Sequence, residues 1–318
     1  PLTFFFFESN QIMELQEAIE KMKKIKAKRI FVQLPEGLRT KSLEISDVLE
    51  KNQLEPIISL ETTFGACDLR DEEALRLKCD AILHFGHNSF GFDYLKSKIP
   101  IFYVELFVDK EIKNFENEFE KIEKFNKIAL VYSIQYKKIF EKVKEFLEKK
   151  GKKVLTFGNS QIIGCNYSNA LALESETEIY LVISSGKFHA LGLALKTEKP
   201  VFLFDAEQEK ILEISKEKEK YRKIIAWNKK IFEESKKVGL LISWKKGQLK
   251  NFETIKEKIE KMGKKVYVFV FDELNENMLE GLKIDCLVNL ACPRISIDDL
   301  ERFKIPIISF EELWKLLE

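Results

Sequence analysis

The chain repeats itself, and the repeat sets what it can fold into. Setting Ile30 of Arg29-Ile30-Phe31-Val32-Gln33-Leu34 against Ile128 of Lys127-Ile128-Ala129-Leu130-Val131-Tyr132 gives an offset of 98 residues. The same offset carries Cys67 onto Cys165, Ala81-Ile82-Leu83 onto Ile179-Tyr180-Leu181, and Phe90 onto Phe188. A third copy follows with looser spacing, its strands at Val238 to Ile242 and Cys286 to Leu290. A proline stands at the matching point of every copy, Pro100, Pro200 and Pro306, where a locked φ and a missing N–H suit the first residue of a strand. A period near 100 residues is too long for a solenoid, so the copies read as domains, at 1–107, 108–205 and 206–318.

Within each copy, short runs that are apolar throughout alternate with amphipathic segments, the pattern of a parallel sheet covered on both faces. The expected fold is therefore α/β, three repeated domains of small parallel sheets flanked by helices. Helices are expected at Gln11 to Lys24, Lys41 to Lys51, Glu72 to Cys79 and Asp109 to Phe125, with a long charged one from Glu207 to Lys236. Ligands of such sheets gather beyond the carboxyl ends of the strands. Three domains facing a common centre would bring their cysteine loops together.

Charge narrows the function. Acidic and basic residues number 52 and 53, a net charge of +1, which lacks the basic excess of a nucleic-acid surface. The lysines alternate with glutamates at helical spacing, as in Glu141 to Lys150, a solvated face. No stretch reaches the roughly 20 apolar residues of a membrane span. The opening Pro1–Phe7, with four phenylalanines, lacks the basic region of a signal peptide and is expected to pack an amino-terminal segment onto the body. Five widely separated cysteines do not read as a disulfide framework; they suit a reducing cytoplasm.

Each copy places one cysteine just past a strand's carboxyl end: Cys67 and Cys165 after the second strand, Cys292 after the third. Their neighbours Gly65, Ala66, Gly164, Ala291 and Pro293 are types that let backbone approach closely. Three such thiols suit a metal site with one open position. A [4Fe–4S] cluster usually takes four thiolates, so three would leave one iron for a substrate. Zinc competes, but a structural zinc site wants close-spaced pairs and no CxxC is present. The plain alternative is a small buried side chain, the reading given to Cys79 and Cys286.

Other candidate ligand contacts lie at the same strand ends. Gln33, Pro35 and Gly37 follow the first strand of copy one and have no counterparts in Ser133-Ile134-Gln135 or Ser243-Trp244-Lys245. His84 and His87 flank the loop equivalent to that of Cys292. Gly186 and His189 stand at a helix start, where backbone N–H groups can hold a carboxylate; capping by Ser184 or Ser185 is the plain alternative. Arg294 either meets a ligand carboxylate or pairs with Asp298 or Asp299. Asp68 either serves the thiol site or caps the next helix.

The segments Gln33-Leu34-Pro35-Glu36-Gly37-Leu38, Thr63-Phe64-Gly65-Ala66-Cys67-Asp68, His84-Phe85-Gly86-His87, Gly186-Lys187-Phe188-His189-Ala190-Leu191-Gly192 and Ala291-Cys292-Pro293-Arg294-Ile295-Ser296-Ile297-Asp298-Asp299 resemble, in this order, the archaeal diphthamide synthase family, the 2-(3-amino-3-carboxypropyl)histidine synthases. The resemblance implies a homodimer and a [4Fe–4S] cluster held by Cys67, Cys165 and Cys292. It also implies reductive cleavage of S-adenosylmethionine, fed by an electron donor, and transfer of its 3-amino-3-carboxypropyl group to C2 of a histidine on translation elongation factor 2. The CxxxCxxC run of the better-known radical enzymes is absent. Two alternatives stand beside this reading: a quinolinate synthase-like open-cluster enzyme, and a non-catalytic cluster-bearing partner subunit.

Overall fold

A computed structural model describes residues 9–92 and 94–317; the Pro1–Phe7 phenylalanine run lies outside the described residues. The chain forms two compact units, one of residues up to Val108 together with Lys245–Gly247, the other of Asp109–Trp244 and Gln248 onward.

The first unit holds four parallel strands, β1 (Arg29–Gln33), β2 (Glu55–Ile58), β3 (Ala81–Phe85) and β4 (Ile101–Val104), in the order β2-β1-β3-β4. Helices α1 (Ser9–Lys24) and α2 (Ser42–Lys51) cover one face. Leu15, Ile19 and Met22 of α1 and Ile45 and Leu49 of α2 close over Ile30, Val32, Leu83 and Phe85. Each such large side chain contributes about 1.5–3 kcal/mol by leaving water. Helix α3 (Asp71–Arg76) lies on the other face, where Phe31, Ala74, Cys79 and Ile82 form a second layer.

In the second unit, β5 (Lys127–Tyr132), β6 (Lys153–Leu155), β7 (Ile179–Ser184), β8 (Val201–Asp205) and β9 (Lys210–Glu213) form one sheet, ordered β6-β5-β7-β8-β9. A further sheet of β10 (Lys237–Ser243), β11 (Lys265–Phe271), β12 (Cys286–Asn289) and β13 (Ile307–Ser309) runs β11-β10-β12-β13. Helices α4 (Phe115–Phe119), α5 (Lys137–Lys149), α6 (Ser168–Leu171) and α7 (Phe188–Ala194) accompany the first of these sheets. Helices α8 (Ser215–Glu234), α9 (Glu253–Lys261), α10 (Arg294–Ile297) and α11 (Phe310–Leu317) complete the unit. All pairings are parallel except β8 with β9.

Two devices recur in all three copies. The carbonyls of Pro100, Pro200 and Pro306 accept from the N–H of Ile82, Tyr180 and Leu287 at 2.9, 3.0 and 2.8 Å. Each proline thus enters its ladder as an acceptor only, as a residue without an N–H must. Asp80, Glu178 and Asp285 each accept two backbone N–H groups at the start of the first strand of their copy. Those bonds favour the charged carboxylate and lower all three pKa values.

Two expected helices are shorter than their periodicity suggests. The Asp205 carboxylate captures the N–H groups of Glu207 and Gln208, each at 3.0 Å, and turns the chain into β9. The long helix therefore begins at Ser215, and the second sheet extends past the boundary expected at residue 205. Between Asp109 and Phe125 only α4 is α-helical, because the Glu209 carboxylate holds the N–H groups of Lys113 and Asn114 at 2.9 and 3.0 Å.

Candidate functional site

In the first unit, Cys67 lies half-buried between β2 and α3. Gln33 is fully buried beneath this loop. Its Nε2 donates to the Asp68 carbonyl at 2.7 Å, and its Oε1 accepts from Arg70 N–H at 3.3 Å. An amide so engaged shapes the loop instead of facing a ligand. Asp68 Oδ2 receives Lys245 Nζ at 2.6 Å, and Arg70 Nε stands 3.5 Å from Oδ1. The Lys245 and Asp68 side chains are 4% and 1% exposed, so removing either partner would strand a buried charge at about 3–5 kcal/mol. The Lys245 ammonium also lies over the Phe64 ring, 4.6 Å from its centre. Gly247 N–H donates to the Cys67 carbonyl at 2.9 Å.

The remaining residues expected in this unit divide in character. Pro35 packs on Gly86, whose φ of +85° suits glycine and where a Cβ would stand 3.0 Å from the proline ring. At Gly65 a Cβ would meet Cys67 Sγ at an ordinary 3.5 Å, and at Gly37 nothing within 4 Å. His84 is the register partner of Gln33 and is fully buried. Its Nε2 lies 3.2 Å from His87 Nδ1, while its own Nδ1 has no hydrogen-bond partner. Burial disfavours the imidazolium in both, taking His84 well below 6.5 and His87 to about 4.

In the second unit, Ile163 and Asn166 exchange backbone hydrogen bonds of 3.1 and 3.0 Å, making a tight turn that leaves Cys165 exposed at its tip. Tyr167 Oη holds the Gly164 carbonyl at 3.2 Å. Phe188 covers Gly164 so closely that a Cβ would meet its ring at 2.3 Å. Cys292, half-buried, follows β12, and Asn289 fixes its loop by donating to the Cys292 carbonyl at 2.8 Å and accepting from Ala291 N–H at 3.0 Å. Burial, reinforced by Cys165 and Cys292, raises the Tyr167 phenol. A cavity of about 500 Å³ opens between these loops, lined by Gly164, Tyr167, Lys250, Ala291, Pro293 and Phe310. The Lys250 ammonium lies over the Phe310 ring at 4.9 Å, its pKa lowered chiefly by burial and held up by Glu311, Cys165 and Cys292.

His189 belongs to a chain of buried hydroxyls. Ser133 Oγ lies 3.1 Å from Ser184 Oγ, which lies 3.2 Å from His189 Nδ1. Ser184 is thus committed to His189 and does not cap α7. Burial first, then the Arg294 cation, lowers the imidazole to about 4. Gly186 N–H is taken by Asp205 Oδ2 at 3.1 Å, so it does not wait for a ligand. Arg294 pairs with Asp298 at 3.2 Å and approaches Asp299 at 4.0 Å.

Sequence reasoning missed the residues that grip these loops: Lys245, Gly247, Asn289, Tyr167 and Gly192. Gly192 is the sharpest case, since a Cβ there would stand 1.9 Å from Tyr167 Oη. Gly192→Ala is expected to displace Tyr167 and cost about 1–3 kcal/mol, read as a Tm lowered by several degrees. Gly37→Ala, with open space around it, should leave Tm within about a degree.

A family model for diphthamide synthesis proteins matches residues 34–318. The chain belongs to the diphthamide synthesis protein family. A 2-(3-amino-3-carboxypropyl)histidine synthase from Pyrococcus horikoshii is 34% identical over 314 residues, covering 95% of this chain and 89% of the relative. One from Methanocaldococcus jannaschii is 30% identical, covering 98% and 89%. Among solved structures, Dph2 from Pyrococcus horikoshii with a 4Fe–4S cluster superposes with a TM-score of 0.85 at 31% identity, over 95% of this chain and 90% of the other.

Like the α/β sheets, the cysteine environments suit a diphthamide synthesis protein. Among the described residues, no three His, Cys, Asp or Glu side chains converge closely enough to hold a single metal ion. Burial pushes the thiols of Cys79 and Cys286 up to about 11 and 12, unsuited to the thiolate a metal needs. Cys67, Cys165 and Cys292 stand instead on strand-end loops, half-buried or exposed. None of the described helices is long and apolar enough to cross a membrane.

Proposed function

We propose that this protein is a 2-(3-amino-3-carboxypropyl)histidine synthase that carries out the first step of diphthamide synthesis. Three loop cysteines, one per repeat, in a chain 34% identical over 95% of its length to a synthase of that name, carry the reading. Cys67, Cys165 and Cys292 would hold a [4Fe–4S] cluster with one iron open. The bound cluster supplies the electron that breaks the bond between sulfur and the methionine γ carbon of S-adenosylmethionine.

The chain's own residues place and shield the reactants. Gln33, Asn289 and Tyr167 hold the three cysteine loops by backbone carbonyls in or beside them. The hydroxyl of Ser184 fixes His189, and Arg294 stands close enough to depress it, so the two form a polar pair suited to a carboxylate. Gly65 leaves room beside the Cys67 sulfur, and Pro35, Gly37 and Gly186 shape neighbouring turns. His84 and His87 stay neutral near pH 7, so the half-buried His87, backed by the fully buried His84, would offer a ligand an uncharged polar group. The acceptor is a histidine of translation elongation factor 2, modified in the cytoplasm by a homodimer that draws on a separate electron donor. The transfer releases methylthioadenosine, and the imidazole adduct regains its aromaticity by giving up the C2 proton together with one electron, so the electron spent on cleavage would be returned and the overall transfer is redox-neutral.

The test is anaerobic. The protein is reconstituted with iron and sulfide, reduced with dithionite, and mixed with S-adenosylmethionine and an archaeal elongation factor 2. Mass spectrometry should find an aminocarboxypropyl adduct on one histidine, together with methylthioadenosine. A loaded cluster giving neither product would overturn the reading and direct the next assay to quinolinate formation.

A further inference from the structure

Three consecutive residues, Lys245, Lys246 and Gly247, meet the Cys67 loop at three points. Lys245 Nζ reaches Asp68 Oδ2 at 2.6 Å, and the pair is shut from solvent. Lys246 Nζ reaches Asp71 Oδ2 at 2.8 Å and the Lys96 carbonyl at 2.7 Å. The same Asp71 oxygen accepts Lys98 N–H at 2.8 Å, so the residue that opens α3 is tied from two sides. Between these anchors and the thiol, Gly247 donates its N–H to the Cys67 carbonyl at 2.9 Å. A Cβ at Gly247 would stand 2.6 Å from both Cα and Cβ of Cys67, which leaves room for no residue but glycine.

We infer that Lys245–Gly247 is a positioning strap that sets the place and direction of the Cys67 side chain. The inference rests on the proposed role of Cys67 as a cluster ligand, but its physical content can be measured without iron. A sealed charge pair is a poor source of stability, because desolvating both groups offsets most of their attraction. It does fix geometry: an ammonium pinned between Asp68 and the face of Phe64 has little freedom. With Gln33 gripping the Asp68 carbonyl from the sheet side, the loop is held from both sides at the residue next to the thiol. Residues that orient a metal ligand without touching the metal typically change metal affinity by about 10–100-fold when replaced.

The strap and the functional reading are separated by two readouts. In the iron-free protein, Gly247→Ala should change the alkylation rate of Cys67, followed by peptide mass spectrometry, by about tenfold relative to Cys165 in the same molecule. After anaerobic reconstitution, its iron affinity should fall by about 10–100-fold and the electron paramagnetic resonance signal of the reduced protein should change shape. Should Gly247→Ala fail to fold, the double variant Lys245→Met with Asp68→Asn, which removes both buried charges together, carries the same expectations. Lys245→Arg, which keeps a cation against Asp68, should lose less iron affinity than the double variant. If wild-type protein loads no iron, the cluster reading fails, and the alkylation ratio alone judges the strap. Unchanged alkylation of Cys67 in folded Gly247→Ala would overturn the strap whatever the iron content.

Discussion

Replacing Cys67, Cys165 or Cys292 by alanine is expected to bring iron loading and adduct formation below detection, while Cys79→Ala keeps both. All five residues carry the same thiol, so the contrast lies in their surroundings. Cys79 is 4% exposed in an apolar layer with Phe31 and Ile82, where the desolvation of a thiolate outweighs the pull of the Arg29 cation. Its truncation leaves a small cavity and costs about 1–2 kcal/mol, visible in Tm but not in iron. Cys286, wholly buried at the start of β12, should behave like Cys79. The other three give a graded series by exposure, Cys165 being exposed and Cys67 and Cys292 half-buried. Iron analysis, electron paramagnetic resonance and mass spectrometry on one set of variants decide the matter. Full iron content in any one of the three alanine variants would remove that residue from the ligand set.

Acid should unfold the protein through its histidines. All three histidines of the chain, His84, His87 and His189, have folded-state pKa values depressed below 6.5, chiefly by burial. The unfolded chain takes up protons as the pH falls through about 6.5, whereas the folded chain resists until about 4 at His87 and His189 and until well below 6.5 at His84. Between those limits the unfolded state binds more protons, so stability rises with pH and is lost as pH falls. Three such groups give a slope on the order of 2–4 kcal/mol per pH unit, large against a typical total of about 5–15 kcal/mol. Carboxylates held by backbone N–H groups, such as Asp80, titrate below this window and do not set it. Urea unfolding at intervals from pH 7.5 to pH 5 measures the slope. His84→Gln should flatten it by roughly a third, because one of three titrating groups is gone. A stability that stays level from pH 7 to pH 5 would sink the account.

The periodic features were legible in the sequence because they obey local rules. A parallel strand buried on both faces must be apolar throughout, and a proline at a strand's start must forgo a ladder donor, so the offset between copies could be counted from residues alone. The small neighbours of the cysteines were legible, but their reason was not: Gly164 makes way for the Phe188 ring, Gly65 would bear a Cβ, and the close backbone approach comes from Gly247. Gln33 shows the limit. Its absence from the sister copies points to a ligand-facing task over a folding one, but its amide is engaged by the Asp68 carbonyl and Arg70 N–H, which only the fold brings to it. The helix expected from Glu207 failed similarly: its lysines and glutamates have helical spacing, but Asp205 claims the first N–H groups, and a local capture wins over propensity.

Local chain chemistry accounts for the three α/β copies, the prolines that open β4, β8 and β13, and the thiols that stand on loops. Those follow from hydrophobic period and backbone chemistry, which act between residues close in the chain. What grips each loop comes instead from packing between distant parts of the chain. Lys245 and Asp68 are 177 positions apart, and Tyr167 and Gly192 meet across two elements. No periodicity encodes such pairs, because a charge or a missing Cβ acquires its meaning only when packing brings its partner within a few ångströms.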